Sequence, residues 1–182
     1  MEGSLWKNLG VYHVRKGEFD CARSVYEEGL ESVRTVRDFG VIFDEYASFE
    51  ESVVEKIAST FGEEDNSNNI EQCGDDDADD LDILVGDASD SDRQHTSVEL
   101  ALARAEHLME RRPLLLNRVL LRQNPHNVGE WLRRASLYQS NDRTRDAVAA
   151  LEEAVTTVKS REAVNGNPCE LWMALAKIHE DE

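Results

Sequence analysis

The stretches LWKNLGVYH at residues 5–13, EWLRRASLY at 130–138 and LWMALAKIH at 171–179 decide the reading of this chain. Four residues after each tryptophan (Trp6, Trp131, Trp172) stands a small residue (Gly10, Ala135, Ala176), and six after it an apolar one (Tyr12, Leu137, Ile178). The run VIFDEYASFE at 41–50 fits the same frame, with Phe43 in the tryptophan place, Ala47 at plus four and Phe49 at plus six. On a helix the small residue lies one turn on from the aromatic, beside it. Two copies continue in register: ARSVYEEGL starts at Ala22, sixteen after Trp6, and AVAALEEAV at Ala147, sixteen after Trp131. Tyr26 and Leu151 then correspond, as do Glu27-Glu28 and Glu152-Glu153. Turn-forming residues, GEF at 17–19 and SNDR at 140–143, separate the two helices of each copy. Each unit is therefore expected to be an antiparallel helix pair. Its small residues let the backbones approach, its aromatic fills the space beside them, and neighbouring pairs stack to bury what one pair cannot. The fold class that follows is all-α, an α-solenoid of helix pairs.

Working outward, Trp131 to Trp172 is 41 residues and Trp6 to Phe43 is 37, both near one repeat, whereas Phe43 to Trp131 is 88. The excess contains GEEDNSNNIEQCGDDDADDLDILVGDASDSD at 62–92, with 13 acidic and no basic residues. That segment accounts for most of the chain's net charge of -18 across 182 residues. So few large apolar groups under such self-repulsion cannot offset the entropy of ordering. Three regions are expected: helix pairs at 1–61, a disordered acidic loop at 62–97, and helix pairs at 98–182. After the loop, VELALARAEHLMERRP (98–113) is expected to supply a delayed second helix, and LLLNRVLLRQNP a short extra helix ending near Pro125. Nothing in the sequence is apolar enough over sufficient length to cross a bilayer as a helix, and no secretory signal opens it. Three cysteines, Cys21, Cys73 and Cys169, show no disulfide spacing, so a reducing compartment is expected.

The tryptophan frame, with A-R-S-V-Y-E-E in the second helix, resembles the half-a-TPR (HAT) repeat of RNA-processing scaffolds. The runs LWKNLGVYHVRKGEFDCARSVYEEGLESV, TVRDFGVIFDEYASFEES and RRPLLLNRVLLRQNPHNVGEW are similar, in that order, to the SYF-type pre-mRNA splicing factors, also described as XPA-binding proteins. The resemblance covers 1–61 and 98–182. It implies a nuclear, non-catalytic scaffold in the nineteen-complex group of the spliceosome, whose partners are other splicing-complex proteins and whose contact with spliceosomal RNA is indirect. It also implies a link to transcription-coupled repair. Because members of that family carry many more repeats, the chain is expected to be a fragment. The sister reading is a HAT-repeat scaffold of mRNA 3′-end processing.

Chemical motifs are few. The five His and three Cys show no zinc-type spacing, and no cofactor or metal is expected. The aspartate run fails as a calcium loop, since Asp80 stands where glycine is needed and Gly86 where the bidentate glutamate is needed. Phosphate-cradling glycine loops and nucleophile elbows are absent from the sequence, so neither a small-molecule substrate nor a membrane partner is expected. Cys21, beside the second-helix Ala22, and Cys169 read as buried thiols, and His13 and His179, at equivalent repeat positions, as packing or partly exposed residues. Residues 99–145 carry 9 basic and 5 acidic groups. Arg111, Arg112, Arg118, Arg122, Arg133 and Arg134 are thus candidates for RNA or partner contact. Ser89 and Ser91, each followed by an aspartate, are candidate phosphorylation sites.

Overall fold

The computed structural model describes residues 2–62 and 90–181. Seven helices lie in this part: α1 (Glu2–Arg15), α2 (Phe19–Ser32), α3 (Val36–Gly62), α4 (Asp90–Gln123), α5 (Val128–Ser140), α6 (Thr144–Thr157) and α7 (Pro168–Asp181). Among the described residues there is no strand, only an isolated bridge between Asn127 and Val164. The chain is all-α. It divides into two units, Met1–Tyr46 with Glu110–Glu182, and Ala47–Met109; α3 and α4 each run from one into the other.

In the first unit α1 packs on α2, α5 on α6, and α7 on both α5 and α6. The pairs are built alike because the same repeat positions carry the same tasks. The residue eleven after each tryptophan takes a left-handed backbone, Gly17 at φ 77° and Asp142 at φ 55°. This lets the next N–H turn back: Glu18 donates to the His13 carbonyl at 3.0 Å, and Arg143 to that of Tyr138 at 2.9 Å. Sixteen after the tryptophan, Ala22 and Ala147 are both fully buried. Twenty-seven after, Val33 and Val158 cap α2 and α6, donating to the carbonyls of Gly29 (3.1 Å) and Ala154 (2.8 Å).

Gly10 and Tyr26 of the first pair correspond to Ala135 and Leu151 of the second, so the smaller residue faces the larger partner. A Cβ on Gly10 would lie 2.3 Å from the Tyr26 ring. Around the second pair, Trp131, Ala135, Ala147, Leu151 and Ala154 form one core with Leu121, Val128, Val158, Leu171 and Ile178. Buried Asn117 joins α4 to α5 by donating to both the carbonyl and the carboxylate of Glu130, each at 2.8 Å. Helix α7 starts with a reciprocal cap. The Asn167 side chain accepts from Cys169 N–H at 3.1 Å, the Glu170 carboxylate accepts from Asn167 N–H at 3.1 Å, and Pro168 occupies the first helical position.

In the second unit Phe49, Glu50, Ala101 and Leu108 are buried. Two expectations are corrected here. Helix α4 is one 34-residue helix through Pro113, not a second helix ending at 113 followed by a short extra one. Proline removes a single N–H from the ladder, while Leu108, Val119 and Leu121 on either side are buried, so packing outweighs the local break. Helix also begins at Asp90, within the expected loop of 62–97; the unbroken acidic composition ends near there, and helix-forming residues follow Arg93. The rest of the expected acidic loop, 63–89, lies outside the described residues.

Candidate interaction surface

Helix α4 presents Arg111, Arg118 and Arg122 at intervals of seven and four, which is one side of a helix. Helix α2 presents Glu27 and Glu31 one turn apart, and the two rows meet. The Arg111 guanidinium binds the Glu27 carboxylate, and Arg118 Nη1 lies 3.0 Å from Glu31 Oε1. Arg122 Nη1 donates to the Val33 carbonyl at 2.6 Å, and Gln123 Nε2 to that of Arg34 at 2.8 Å. Burial, with the like charge of Arg118 nearby, lowers the Arg122 pKa from its ordinary value, and Glu31 opposes this. The carbonyls at 33 and 34 follow the last turn of α2, where the chain bends into α3, so the arginine row fastens that corner. Arg112, one position aside, reaches Asp44 at 3.9 Å and lies over the Phe43 ring, 5.1 Å from its centroid.

The remaining two arginines act within α5. Arg133 Nη1 is 3.9 Å from Glu130 Oε1, and Arg134 lies over the rings of Trp131 (5.8 Å) and Tyr138 (5.9 Å). All six candidate contact arginines thus have acidic, carbonyl or aromatic partners inside the chain. The acidic half of this arrangement was present in the sequence as Glu27 and Glu31, one helical turn apart.

Of the repeat positions, Gly10, Ala22, Tyr26, Phe43, Phe49, Trp131, Ala135, Ala147 and Leu151 are buried, and Trp6 and Ala47 half-buried. The Trp131 indole donates to the Pro125 carbonyl at 2.8 Å. Three core positions are corrected: Tyr12 (51% exposed), Trp172 (59%) and Ala176 lie on the surface. Their counterparts Leu137, Trp131 and Ala135 are covered wholly or in part because α4 and α6 flank α5 on both sides; α1 and α7 each lack one such neighbour among the described residues.

Both cysteines read as buried are exposed. Cys21 adjoins Ala22, but successive residues point about 100° apart on a helix, so the burial of Ala22 leaves Cys21 outside. His13 Nδ1 lies 2.6 Å from Glu18 Oε2 across the α1–α2 turn, a contact that lowers the Glu18 pKa. With Cys21 they bring one nitrogen, one oxygen and one sulfur within 4.8 Å of one another. In the second pair the same three positions carry Tyr138, Arg143 and Asp146, with Arg143 over the Tyr138 ring at 5.0 Å and its Nε 2.6 Å from Asp146. The shared task of these positions is therefore to latch the turn. Of the candidate phosphorylation sites, Ser89 lies outside the described residues and Ser91 falls in the first turn of α4.

Residues 1–158 match the family described as the pre-mRNA-splicing factor SYF1 middle HAT repeat; the match ends at the cap of α6. Over 179 residues the chain is 44% identical to pre-mRNA-splicing factor SYF1 of Homo sapiens, covering 98% of this chain and 18% of that protein. It is 43% identical over 178 residues to the syf1 homolog of Drosophila melanogaster, covering 98% and 17%. With SYF1 of Pyricularia oryzae the identity is 39% over 178 residues, covering 98% and 19%. The chain spans less than a fifth of the length of these curated relatives.

Proposed function

The chain belongs to the SYF1 middle HAT-repeat family, and from that premise we propose that it acts in pre-mRNA splicing as a non-catalytic scaffold segment in the nucleus. The observation that carries this reading is the 44% identity to a pre-mRNA-splicing factor across 98% of the chain. The partners are other splicing-complex proteins of the nineteen-complex type. They dock through apolar contacts and ion pairs on helix faces that stacked pairs hold rigid.

Contact with spliceosomal RNA is indirect in this reading. The six candidate arginines are engaged with Glu27, Glu31, Asp44, Glu130, one backbone carbonyl and three aromatic rings. Phosphate binding at these positions would have to replace those contacts. The link to transcription-coupled repair rests on the family relationship alone.

Affinity purification of the tagged protein from nuclear extract, with mass spectrometry and sequencing of bound RNA, tests the proposal. Recovery of nineteen-complex proteins with spliceosomal small nuclear RNAs is expected. Recovery of cleavage and polyadenylation factors instead would transfer the chain to the 3′-end-processing reading. RNA retained by the purified chain alone, with a steep loss on adding salt, would overturn indirect contact.

A further inference from the structure

The turn between α1 and α2 brings together three side chains whose chemistry the second pair does not repeat. His13 stands in the last turn of α1, Glu18 at the entry to α2 and Cys21 in its first turn. One nitrogen, one oxygen and one sulfur of these residues lie within 4.8 Å of one another. Their order along the chain matches no zinc motif; it is the Gly17 turn, at φ 77°, that folds the helices back and gathers them. The backbone beneath them is fixed, with Glu18 N–H donating to the His13 carbonyl and Gly17 N–H to that of Val14, each at 3.0 Å. The side chains are oriented too. His13 Nδ1 faces Glu18 Oε2 at 2.6 Å, the Tyr12 ring meets the imidazole edge to face at 5.4 Å, and Lys16 Nζ is 3.9 Å from the other Glu18 oxygen.

We propose that His13, Glu18 and Cys21 form a zinc-binding site that ties the end of α1 to the start of α2. Imidazole nitrogen, carboxylate oxygen and thiolate sulfur are the donors zinc takes, at about 2.0–2.3 Å, whereas calcium and magnesium require oxygen donors. Around a tetrahedral ion of that size neighbouring donors stand about 3.3–3.6 Å apart, so the His13–Glu18 contact opens by no more than about 1 Å and the sulfur draws in by a similar step. Surface rotations suffice for this, because Cys21 is exposed and the Glu18 side chain is 43% exposed. Binding releases the Cys21 thiol proton and leaves the imidazole proton on Nε2, so affinity falls as pH drops. Three protein donors leave a fourth position to water. In the second pair the same places hold Tyr138, Arg143 and Asp146. A guanidinium there repels a cation, which confines the site to the first pair. The proposal does not depend on the splicing role.

Cobalt(II), which accepts the same donors and reports them by colour, tests the site in the full, reduced chain. Titration at neutral pH is expected to give a thiolate-to-cobalt charge-transfer band that saturates at one ion per chain and is bleached by zinc, the tighter-binding ion. Cys21→Ser should abolish the band. It should also weaken zinc binding, read by competition with a chromophoric chelator, by more than about 100-fold, since even the partners that orient metal ligands contribute about 10–100-fold. His13→Gln and Glu18→Gln are each expected to weaken zinc by at least about tenfold, with wild-type helicity by circular dichroism; they carry the test should Cys21→Ser fail to fold. A chain with both Cys73→Ser and Cys169→Ser should bind as wild type does. No charge-transfer band in wild type, a band that survives Cys21→Ser, a band lost with the other two cysteines, or saturation at one ion per two chains would each overturn the proposal. Cobalt uptake without that band, as carboxylates alone would give, counts against it in the same way.

Discussion

Replacing Gly10 by alanine sets helix propensity against packing at one position. In an unconstrained helix the change stabilises by roughly 0.8–1.0 kcal/mol. Here the new Cβ would sit 2.3 Å from Cε1 and Cζ of Tyr26 and 2.7 Å from its hydroxyl oxygen. The ring is fully buried and stacked on Tyr46, with centroids 5.2 Å apart, so it has little room to withdraw. Overpacking of this kind costs about 1–3 kcal/mol, and so deep an overlap belongs at the upper end. The net expectation is a loss of about 1–2 kcal/mol, or a melting temperature lower by about 2–8 °C for a chain of this size. The second pair supplies the remedy, since Ala135 faces Leu151 there. Tyr26→Leu alone should cost about 2–4 kcal/mol by leaving a cavity. Combined with Gly10→Ala it should cost at least about 1 kcal/mol less than the sum of the two, because the methyl occupies space the ring has left. Urea unfolding of the four proteins, followed by circular dichroism, measures the cycle. Strict additivity, or a Gly10→Ala variant stabilised by its full propensity gain, would refute the size matching inferred between the pairs.

Other consequences follow from the same equivalences. Trp131→Ala should destabilise by about 3–5 kcal/mol because the indole is buried, whereas Trp172→Ala, at an exposed copy of the position, should fall within about 0.5 kcal/mol of wild type in the same unfolding assay. Asp142 holds φ 55° where the first pair has glycine at 77°; Asp142→Gly is expected to raise stability by about 0.5–1 kcal/mol and Gly17→Ala to lower it by about 1 kcal/mol, read from urea midpoints. Burial, reinforced by the negative charge of Glu45, pushes Tyr26 from 10.0 up to about 12. The unfolded chain ionises first, so this stability is intact below pH 10 and is lost as pH climbs from 10 towards 12, by about 2–3 kcal/mol in all. Tyr26→Phe should flatten that part of the pH–stability profile, and an unchanged slope would count against burial of the phenol.

How much of this was legible in the sequence depends on the range of the interaction responsible. The helix pairs were legible because Trp, small residue, turn and Ala recur at fixed offsets, and a turn with a left-handed residue eleven after the tryptophan is built from neighbouring atoms. The run through Pro113 was not legible. Proline and its flanks argue locally for a break, and only the burial of Leu108, Val119 and Leu121 reverses that. The arginines show the same limit more sharply. Six positive side chains within 24 residues read as a free basic stripe when their partners are invisible, and Glu27 and Glu31 stand more than 80 residues away from Arg111 and Arg118.

By itself, then, the sequence determined the all-α class, the two full helix pairs with their register, the extra first helix at Trp172, and the family, because these rest on periodic contacts within about forty residues that any folded copy of the pattern must make. Tertiary structure alone decided which copies of a shared position are core and which are surface. Trp131 and Trp172 have the same local surroundings in sequence, and what separates them among the described residues is which of the two has a further helix packed over it. It also decided where the positive charge goes, since an arginine's partner is set by which helix lies across from it in space, and residue spacing carries no record of that.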